Sequence, residues 1–246
     1  GGIATVLSEY IIKRKKGVVF GTAYDSNLTP EITWVENIKD LDKFKGSKYV
    51  KSIVHSTTLK KVAHFLAKGR YVLFIGTPCQ ITGLKSFLNE EHEKLLTIDL
   101  LCHGVSPVSY FHEEINYLKQ KYKVKKISNV RFRGNDDDNT KMTLFDRLIG
   151  RYYSNNFRFS LWNTDIDGNP KRAYCGDSTE NFYLAGFLKG ITLRENCYTC
   201  LYARPERVAD ITLGDFIGLG KNELFKYKKD NASVVLTNTQ KGLNFY

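Results

Sequence analysis

The sequence predicts an α/β protein with a mainly parallel sheet and helices in its first half and a mixed α+β second half. Two long apolar runs of strand length, RYVLFIG and KLLTIDLLC, alternate with helical segments, a pattern typical of a parallel sheet covered by helices. After residue 126 the segments become shorter and more polar. We therefore expect an α/β domain over residues 1–126 and an α+β domain over residues 127–246.

The elements of the first half follow from apolar periodicity and from the residues that begin or end helices. A glycine turn precedes an amphipathic helix in GGIATVLSEYIIKRKK, and two strands, GVVFGTAYD and EITWVEN, flank the turn SNLTP. Gly69 ends the helix TTLKKVAHFLAKG. The strand RYVLFIG, the helix CQITGLKSFLNEE, the strand KLLTIDLLC and the helix SPVSYFHEEINYLKQKY complete this half.

The sequence of the second half predicts strands and one longer helix. ISNVRFRG, MTLFDRLIGRYYSNNF, RVADITLGDF and ASVVLTNT have the composition of strands, and STENFYLAGFLKG that of a helix. We expect the last residues, TNTQKGLNFY, to form a strand and a turn that continue further. Because the chain also starts without Met, we expect it to be a piece of a longer protein.

Composition and charge exclude several classes of protein. The chain has 246 residues and a formal net charge of +11. It contains no apolar run long enough for a membrane span, no signal peptide and no common nucleic-acid motif. The positive charge indicates either a solvated face or an anionic partner, such as an acidic protein or an anionic cofactor.

The five cysteines point to metal or redox chemistry. An odd number in a chain of this size is a poor disulfide framework, so we expect a reducing compartment such as the cytoplasm. Cys79 and Cys102 follow the two buried strands, and parallel strands bring such positions to one edge of the sheet. The helix that begins beside Cys79 favours negative charge there.

Cys197 and Cys200, in NCYTC, supply a second pair of thiols. Two pairs make the four thiolates that a cubane iron–sulfur cluster requires, although four thiolates also suit structural zinc. A buried apolar role is the alternative for Cys79 and Cys102 taken singly. Cys175 has no such pair and is expected to be passive.

At these residues the sequence resembles the coenzyme F420 hydrogenase/dehydrogenase beta subunit family. GGIAT, GSKY, GTPCQITGLKSFL, LLTIDLLCHGVSP, LRENCYTCLYARPERVADITLGDFIG and SVVLTNTQKG occur in the family's order over nearly the whole chain. The resemblance implies an oxidoreductase that binds FAD and a 4Fe–4S cluster and passes electrons to a two-electron acceptor. It implies that Cys79, Cys102, Cys197 and Cys200 hold the cluster.

The resemblance also implies flavin contacts. These are Gly1, Gly2, Ser47, Lys48, Thr77, Gln80 and Asn238. A glycine pair that opens a helix can accept a pyrophosphate, but a plain turn is the more common cause of such a pair. Lys48 would neutralise a phosphate or lie near the flavin, and His103 would donate to flavin or substrate or relay a proton. The structural alternatives are an exposed lysine and a helix-entry histidine.

The sequence departs from the family in one respect, which concerns the source of the electrons. Many bacterial members have a ferredoxin-like stretch of cysteines before GGIAT, and this sequence begins at that point. We expect an acidic electron carrier such as ferredoxin, or the missing module, as partner, and a small molecule as substrate. Two other functions stay open: a zinc-stabilised binding module without catalysis, and a docking subunit of an electron-transfer complex.

Overall fold

A computed structural model describes residues 2–133, 157–165, 168–216 and 232–246. The first sheet has six strands in the order β2-β1-β3-β4-β8-β9. These strands are β1 (Val18–Tyr24), β2 (Pro30–Val35), β3 (Val72–Gly76), β4 (Leu95–Leu100), β8 (Ile211–Asp215) and β9 (Ser233–Thr237). The pairs β1–β3, β3–β4 and β4–β8 are parallel, whereas the two edge strands are antiparallel to their neighbours.

Helices cover both faces of this sheet. They are α1 (Ile3–Lys15), α2 (Ser56–Ala67), α3 (Pro78–Leu88) and, at the end of the chain, α7 (Gln240–Phe245); a 3-10 helix, Ile38–Phe44, follows β2. A further helix, α4 (Val108–Lys121), packs against the second sheet described below. Phe20 and Phe74 pack with α2 and α3 on one face, and Val19 and Leu73 pack with α1 on the other. Among the described helices, none has both the length and the apolar character needed to cross a bilayer.

The second sheet has three antiparallel strands in the order β5-β6-β7. They are β5 (Asn129–Arg133), β6 (Phe157–Thr164) and β7 (Pro170–Gly176), and the helices α5 (Phe182–Leu188) and α6 (Glu195–Tyr198) follow them. Phe111 of α4, Phe132, Phe159 and Tyr183 form an aromatic cluster with ring centroids 5.1–6.2 Å apart. This cluster joins the second sheet to α4 and α5.

The predicted fold class is confirmed: a mainly parallel sheet with helices, followed by a mixed second half. β8 and β9 lie in the second half of the chain but extend the first sheet. The strands β6 and β7 were not predicted, and all but Phe157 of the predicted strand MTLFDRLIGRYYSNNF lies outside the described residues. The boundary near residue 126 stays a prediction.

The prediction of a strand and turn at the end of the chain was wrong beyond Thr237. Residues 240–245 form α7, whose N-cap Thr239 accepts a hydrogen bond from the backbone N–H of Gly242. Gly242 lies so close to the carbonyl of Asp210 that a Cβ there would be 2.2 Å from the oxygen. The helix therefore packs on β8, and a capping threonine outweighed the extended pattern of the sequence.

Candidate functional site

The turn between β3 and α3 fixes the position of Cys79. Thr77 caps α3 and forms a capping box with Gln80, and Pro78 occupies the first turn of the helix. The backbone N–H of Gln80 donates to the Thr77 carbonyl at 2.9 Å, and Thr77 Oγ1 lies 3.2 Å from Cys79 Sγ. A thiolate can only accept a hydrogen bond, so the Thr77 hydroxyl would be the donor to an ionised Cys79.

Four cysteines line one cavity of about 420 Å³, which we call the cysteine cavity: Cys79, Cys102, Cys197 and Cys200. Cys79 follows β3 and Cys102 follows β4, whereas the other two come from α6 and the residues after it. The structure thus brings together the four thiols that the sequence predicts as metal ligands. Cys175 lies on β7 and does not line this cavity.

The four thiols are close enough for charge on one to change the pKa of another. Burial raises the pKa of Cys102, the backbone N–H of Gly104 opposes this, and charge on the other three cysteines raises the pKa further. Within the described ranges, no group of three or more His, Cys, Asp or Glu side chains is arranged to hold a single metal ion. Four thiolates that each bind a different iron surround a volume and need not meet at one point.

Positive side chains surround the same cavity. Lys51, Arg194, Arg204 and Arg207 line it, and no Asp or Glu does so among the described residues. Within those residues, the side chains of Lys51, Arg194 and Arg204 have no carboxylate at ion-pair distance. Burial lowers the pKa of Lys51, and Arg194 acts in the same direction. The cavity is therefore suited to an anionic occupant.

Arg207 differs from the other three cations because it is held by protein groups. Its Nη2 lies 3.0 Å from Oδ2 of the fully buried Asp99 and donates to the Leu100 carbonyl at 3.2 Å. Its Nε donates to Thr212 Oγ1 at 3.3 Å, and that hydroxyl donates to Asp99 Oδ1 at 2.5 Å. This network fixes the arginine between β4 and β8.

His103 lines the cysteine cavity next to Cys102. Its Nε2 lies 3.2 Å from the Phe187 carbonyl, and the two rings meet edge to face at 5.3 Å. Gly104 has φ 127°, and a Cβ there would lie 2.6 Å from Leu193. The turn after Cys102 therefore requires glycine, and one nitrogen of His103 is already engaged by the protein.

A second cavity of about 170 Å³ lies beside the first, and we call it the helix cavity because residues of α1 line it. Four of the predicted flavin contacts border it: Ser47, Lys48, Thr77 and Gln80. Ala4, Thr5 and Ser8 line it from α1. Its volume is below that of pockets that enclose whole cofactors, so it would hold only part of one.

Lys48 is the half-buried cation of the helix cavity. Its Nζ donates to the carbonyls of Lys45 and Gly46 at 3.1 and 3.3 Å and lies 5.5 Å from the ring centroid of Tyr24. Burial lowers the pKa of Lys48 to about 8. A phosphate or a polarised oxygen in this cavity would therefore meet a lysine that is only partly hydrated.

The two cavities share a wall. Ser52, Thr77, Gln80 and Val105 border both. Gln80 Nε2 donates to Ser52 Oγ at 2.8 Å, and Gln80 Oε1 accepts from the Thr77 backbone at 2.9 Å. Gln80 thus holds the wall together, a structural contact that the sequence did not predict.

The remaining predicted flavin residues lie elsewhere. Asn238 borders neither cavity; its amide donates to the Ala209 carbonyl at 3.0 Å and to Thr212 Oγ1 at 2.9 Å. Gly2 is the N-cap of α1 with φ 146° and borders neither cavity. Gly1 lies outside the described residues. Their cofactor contacts stay predictions.

Lys51 and Arg207 are site residues that the sequence did not single out. Arg207 occurs in RPERVAD, three residues before the buried Asp210, and nothing local distinguishes it from an exposed arginine. Lys51 lies between the buried Val50 and Ser52. This alternation could have indicated an extended segment, but not a cavity that assembles residues distant in the sequence.

The comparisons with known proteins agree with this architecture. A chain of the F420-reducing NiFe hydrogenase complex from Methanosarcina barkeri superposes with a TM-score of 0.55 at 17% identity, over 100% of this chain and 70% of that chain. This likeness concerns the fold alone. A comparison with curated proteins finds no match. The family model for the C terminus of the coenzyme F420 hydrogenase/dehydrogenase beta subunit matches residues 69–246. The chain therefore belongs to the coenzyme F420 hydrogenase/dehydrogenase beta subunit family.

Proposed function

We propose that this chain is an electron-transfer oxidoreductase subunit that binds a 4Fe–4S cluster in the cysteine cavity and FAD beside it. The observation that carries the proposal is the convergence of four cysteines on one cavity that is lined by four cations and by no carboxylate among the described residues. Family membership supports an oxidoreductase. The cofactors, their ligands and the reaction are the proposal.

The residues of the cysteine cavity fit an iron–sulfur cluster. Cys79, Cys102, Cys197 and Cys200 would supply one thiolate to each iron. Such a group is anionic, and Lys51, Arg194 and Arg204 have no other anion within the described residues. The Gly104 backbone N–H, which contacts Cys102, and the Thr77 hydroxyl would donate hydrogen bonds to the bound sulfurs.

The residues of the helix cavity fit part of a flavin cofactor. Thr5, Ser8 and Ser47 offer hydroxyl groups, and Lys48 offers a cation to a phosphate or to the flavin ring. The shared wall places this cavity directly beside Cys79. When bound, the cluster would carry single electrons and the flavin would exchange two electrons with a small-molecule acceptor.

The protein's own contribution would be to hold the two cofactors close and to limit water. Thr77 contacts Cys79 and borders both cavities, so it would lie on the short path between them. His103 would position the turn after Cys102 through Phe187, with its second ring nitrogen available for a proton. Lys48 would bind or polarise the flavin.

The electron donor would be a carrier protein with an acidic surface, since the chain has a net charge of +11. The exposed Arg204 lies at the cysteine cavity and could contact such a carrier. A ferredoxin-like module of the same protein would serve equally. Because the site needs reduced thiols, we expect it to function in a reducing compartment such as the cytoplasm.

Replacing Cys197 by Ala tests the proposal. The variant should lose donor-driven reduction of an artificial two-electron acceptor, while part of the flavin binding survives, because only the cysteine cavity is altered. Cys175→Ala is the matched control, since that cysteine lies outside the cavity, and it should retain turnover. Unchanged turnover in Cys197→Ala would end the proposed route of electrons.

A further inference from the structure

We propose that Lys51 is a positioning residue whose uncompensated positive charge, in the cavity that Cys79 and Cys197 also line, makes reduction of the group in the cysteine cavity more favourable. The inference rests on the proposed function, because it concerns the occupant of that cavity. Lys51 is not among the residues that the family resemblance implies. Three structural observations carry it.

The first observation is that the backbone on both sides of Lys51 is anchored to cysteine-bearing segments. Its backbone N–H donates to the carbonyl of the buried Ser106, four residues after Cys102, at 3.0 Å. The next residue, Ser52, is buried and accepts a hydrogen bond from Gln80, beside Cys79. The lysine is therefore attached to the turns after both β3 and β4.

The second observation is the position of the side chain itself. Lys51 lines the cysteine cavity and is half-buried. Burial lowers the pKa of Lys51, and negative charge on Cys79 and Cys197, which lie far apart in the sequence, opposes this. Arg194, the other half-buried cation with which it interacts, reaches the cavity on a segment whose backbone N–H donates to the Val105 carbonyl at 2.9 Å.

The third observation is that no protein carboxylate offsets this charge. The side chain of Lys51 has no ion-pair partner among the described residues, and no Asp or Glu there lines the cavity. Arg207, on the same cavity, is paired with Asp99 at 3.0 Å. Lys51 and Arg207 therefore differ in net effect: the aspartate offsets much of the arginine's field, whereas the field of the lysine reaches the thiols.

These observations give a direction for the effect on reduction. Reduction adds one electron to the occupant of the cavity and makes its charge more negative by one. A nearby positive charge stabilises the reduced form more than the oxidised form, so its removal lowers the midpoint potential. Since net charge is one of the quantities that set cluster potentials, Lys51 would act without ligating iron.

The test uses three variants of the anaerobically purified protein: Lys51→Met, Lys51→Arg and Lys60→Met. Lys60 is an exposed lysine of α2 that lines neither cavity, so its removal matches the change in net charge alone. In a dithionite titration followed by electron paramagnetic resonance, Lys51→Met should lower the ratio of reduced to oxidised cluster at a given potential about tenfold. This corresponds to a midpoint potential that is lower by about 59 mV. Lys51→Arg and Lys60→Met should stay near the wild-type potential.

A second measurement on cluster-free protein separates this inference from the proposed function. Iodoacetate is anionic and iodoacetamide is neutral. The ratio of the iodoacetate rate to the iodoacetamide rate at one thiol therefore reports the local electrostatic potential, whatever fraction of that thiol is ionised. Lys51→Met should lower this ratio severalfold at Cys79 and Cys197 and leave Cys175 unchanged. Lys51→Arg should keep the wild-type ratio and also shows whether the site tolerates substitution.

The outcomes are distinguishable. A changed ratio in protein that never binds iron would support the role of Lys51 in the cavity and overturn the proposed cluster. An unchanged ratio at both thiols, or a bound cluster with the same potential in Lys51→Met as in wild type, would overturn the role of Lys51 while leaving the proposed function intact.

Discussion

The cysteine cavity and the helix cavity share a wall but differ in whether protein groups contact their cations. In the helix cavity, Lys48 donates to two backbone carbonyls and Lys45 pairs with Asp42 at 2.6 Å. In the cysteine cavity, Lys51 and Arg194 have no such acceptors within the described residues. The cations of the helix cavity therefore have protein partners, whereas Lys51 and Arg194 of the cysteine cavity have none among the described residues.

This difference indicates what each cavity is built to hold. Half-buried cations without acceptors are costly, so a fold tolerates them where an anionic group offsets the charge. Four thiolates bound to iron would be such a group. The helix cavity, whose cations already have protein partners, would contribute the charge of Lys48 together with hydrogen bonds and shape to a ligand that extends beyond it.

The largest change in stability concerns Arg207, whose guanidinium pairs with the buried Asp99 at the cysteine cavity. Arg207→Met leaves the charge of Asp99 buried and unpaired, which should cost about 3–5 kcal/mol of unfolding free energy. Urea denaturation of the cluster-free protein measures it. The double variant Asp99→Asn/Arg207→Met should recover much of that loss, and equal losses in the single and double variants would contradict the pairing.

A smaller effect concerns the pH dependence of flavin binding in the helix cavity. Lys48 has a pKa lowered to about 8, so its charge is present below pH 8 and is lost as the pH rises above it. FAD affinity should then fall by at most about tenfold per pH unit above pH 8, since one proton is linked to binding. Fluorescence titrations from neutral to alkaline pH measure this fall.

Two variants of Lys48 serve as controls for that titration. Lys48→Arg keeps its charge over the whole range, so its affinity should not fall. Lys48→Met should bind more weakly at neutral pH and show no fall near pH 8. The same slope in Lys48→Met as in wild type would assign the pH dependence to another group.

The smallest effect concerns the wall between the cavities. Thr77→Val removes the hydroxyl that lies 3.2 Å from Cys79 Sγ while keeping the shape of the side chain. Loss of one hydrogen bond to a cluster sulfur should lower the midpoint potential by on the order of tens of millivolts. Thr77→Ser keeps the hydroxyl and should match wild type. An unchanged potential in the valine variant would mean that this hydroxyl does not bond the sulfur.

Sequence reasoning succeeded where local patterns determine structure. The apolar runs of β3 and β4 predicted a parallel sheet, and parallel strands necessarily bring the turns bearing Cys79 and Cys102 to one edge. The spacing of Cys197 and Cys200 predicted a second pair of thiols, but Cys197 lies in the short helix α6 and not in the expected loop. The structure places all four on one cavity, because α6 and the segment around it fold back over that edge.

Sequence reasoning failed where the decisive contacts join distant segments. Gln80 matched a family motif, but its bonds to Ser52 depend on how the extended segment before α2 crosses the edge of the sheet. The pairing of Arg207 with Asp99 needs β4 and β8 to be neighbours, although they are separated by more than a hundred residues. The helix at the end of the chain depends on a cap and on packing against β8.

An absorption spectrum combined with iron and sulfide assays, on protein purified without oxygen, shows directly whether the chain binds an iron–sulfur cluster and a flavin. We predict a flavin band with a broad shoulder that reductant bleaches, and about four irons per chain. Alanine at any of the four cavity cysteines should reduce the iron content, whereas Cys175→Ala should not. A colourless protein that carries zinc would contradict the proposed function and would make the cysteine cavity a structural metal site.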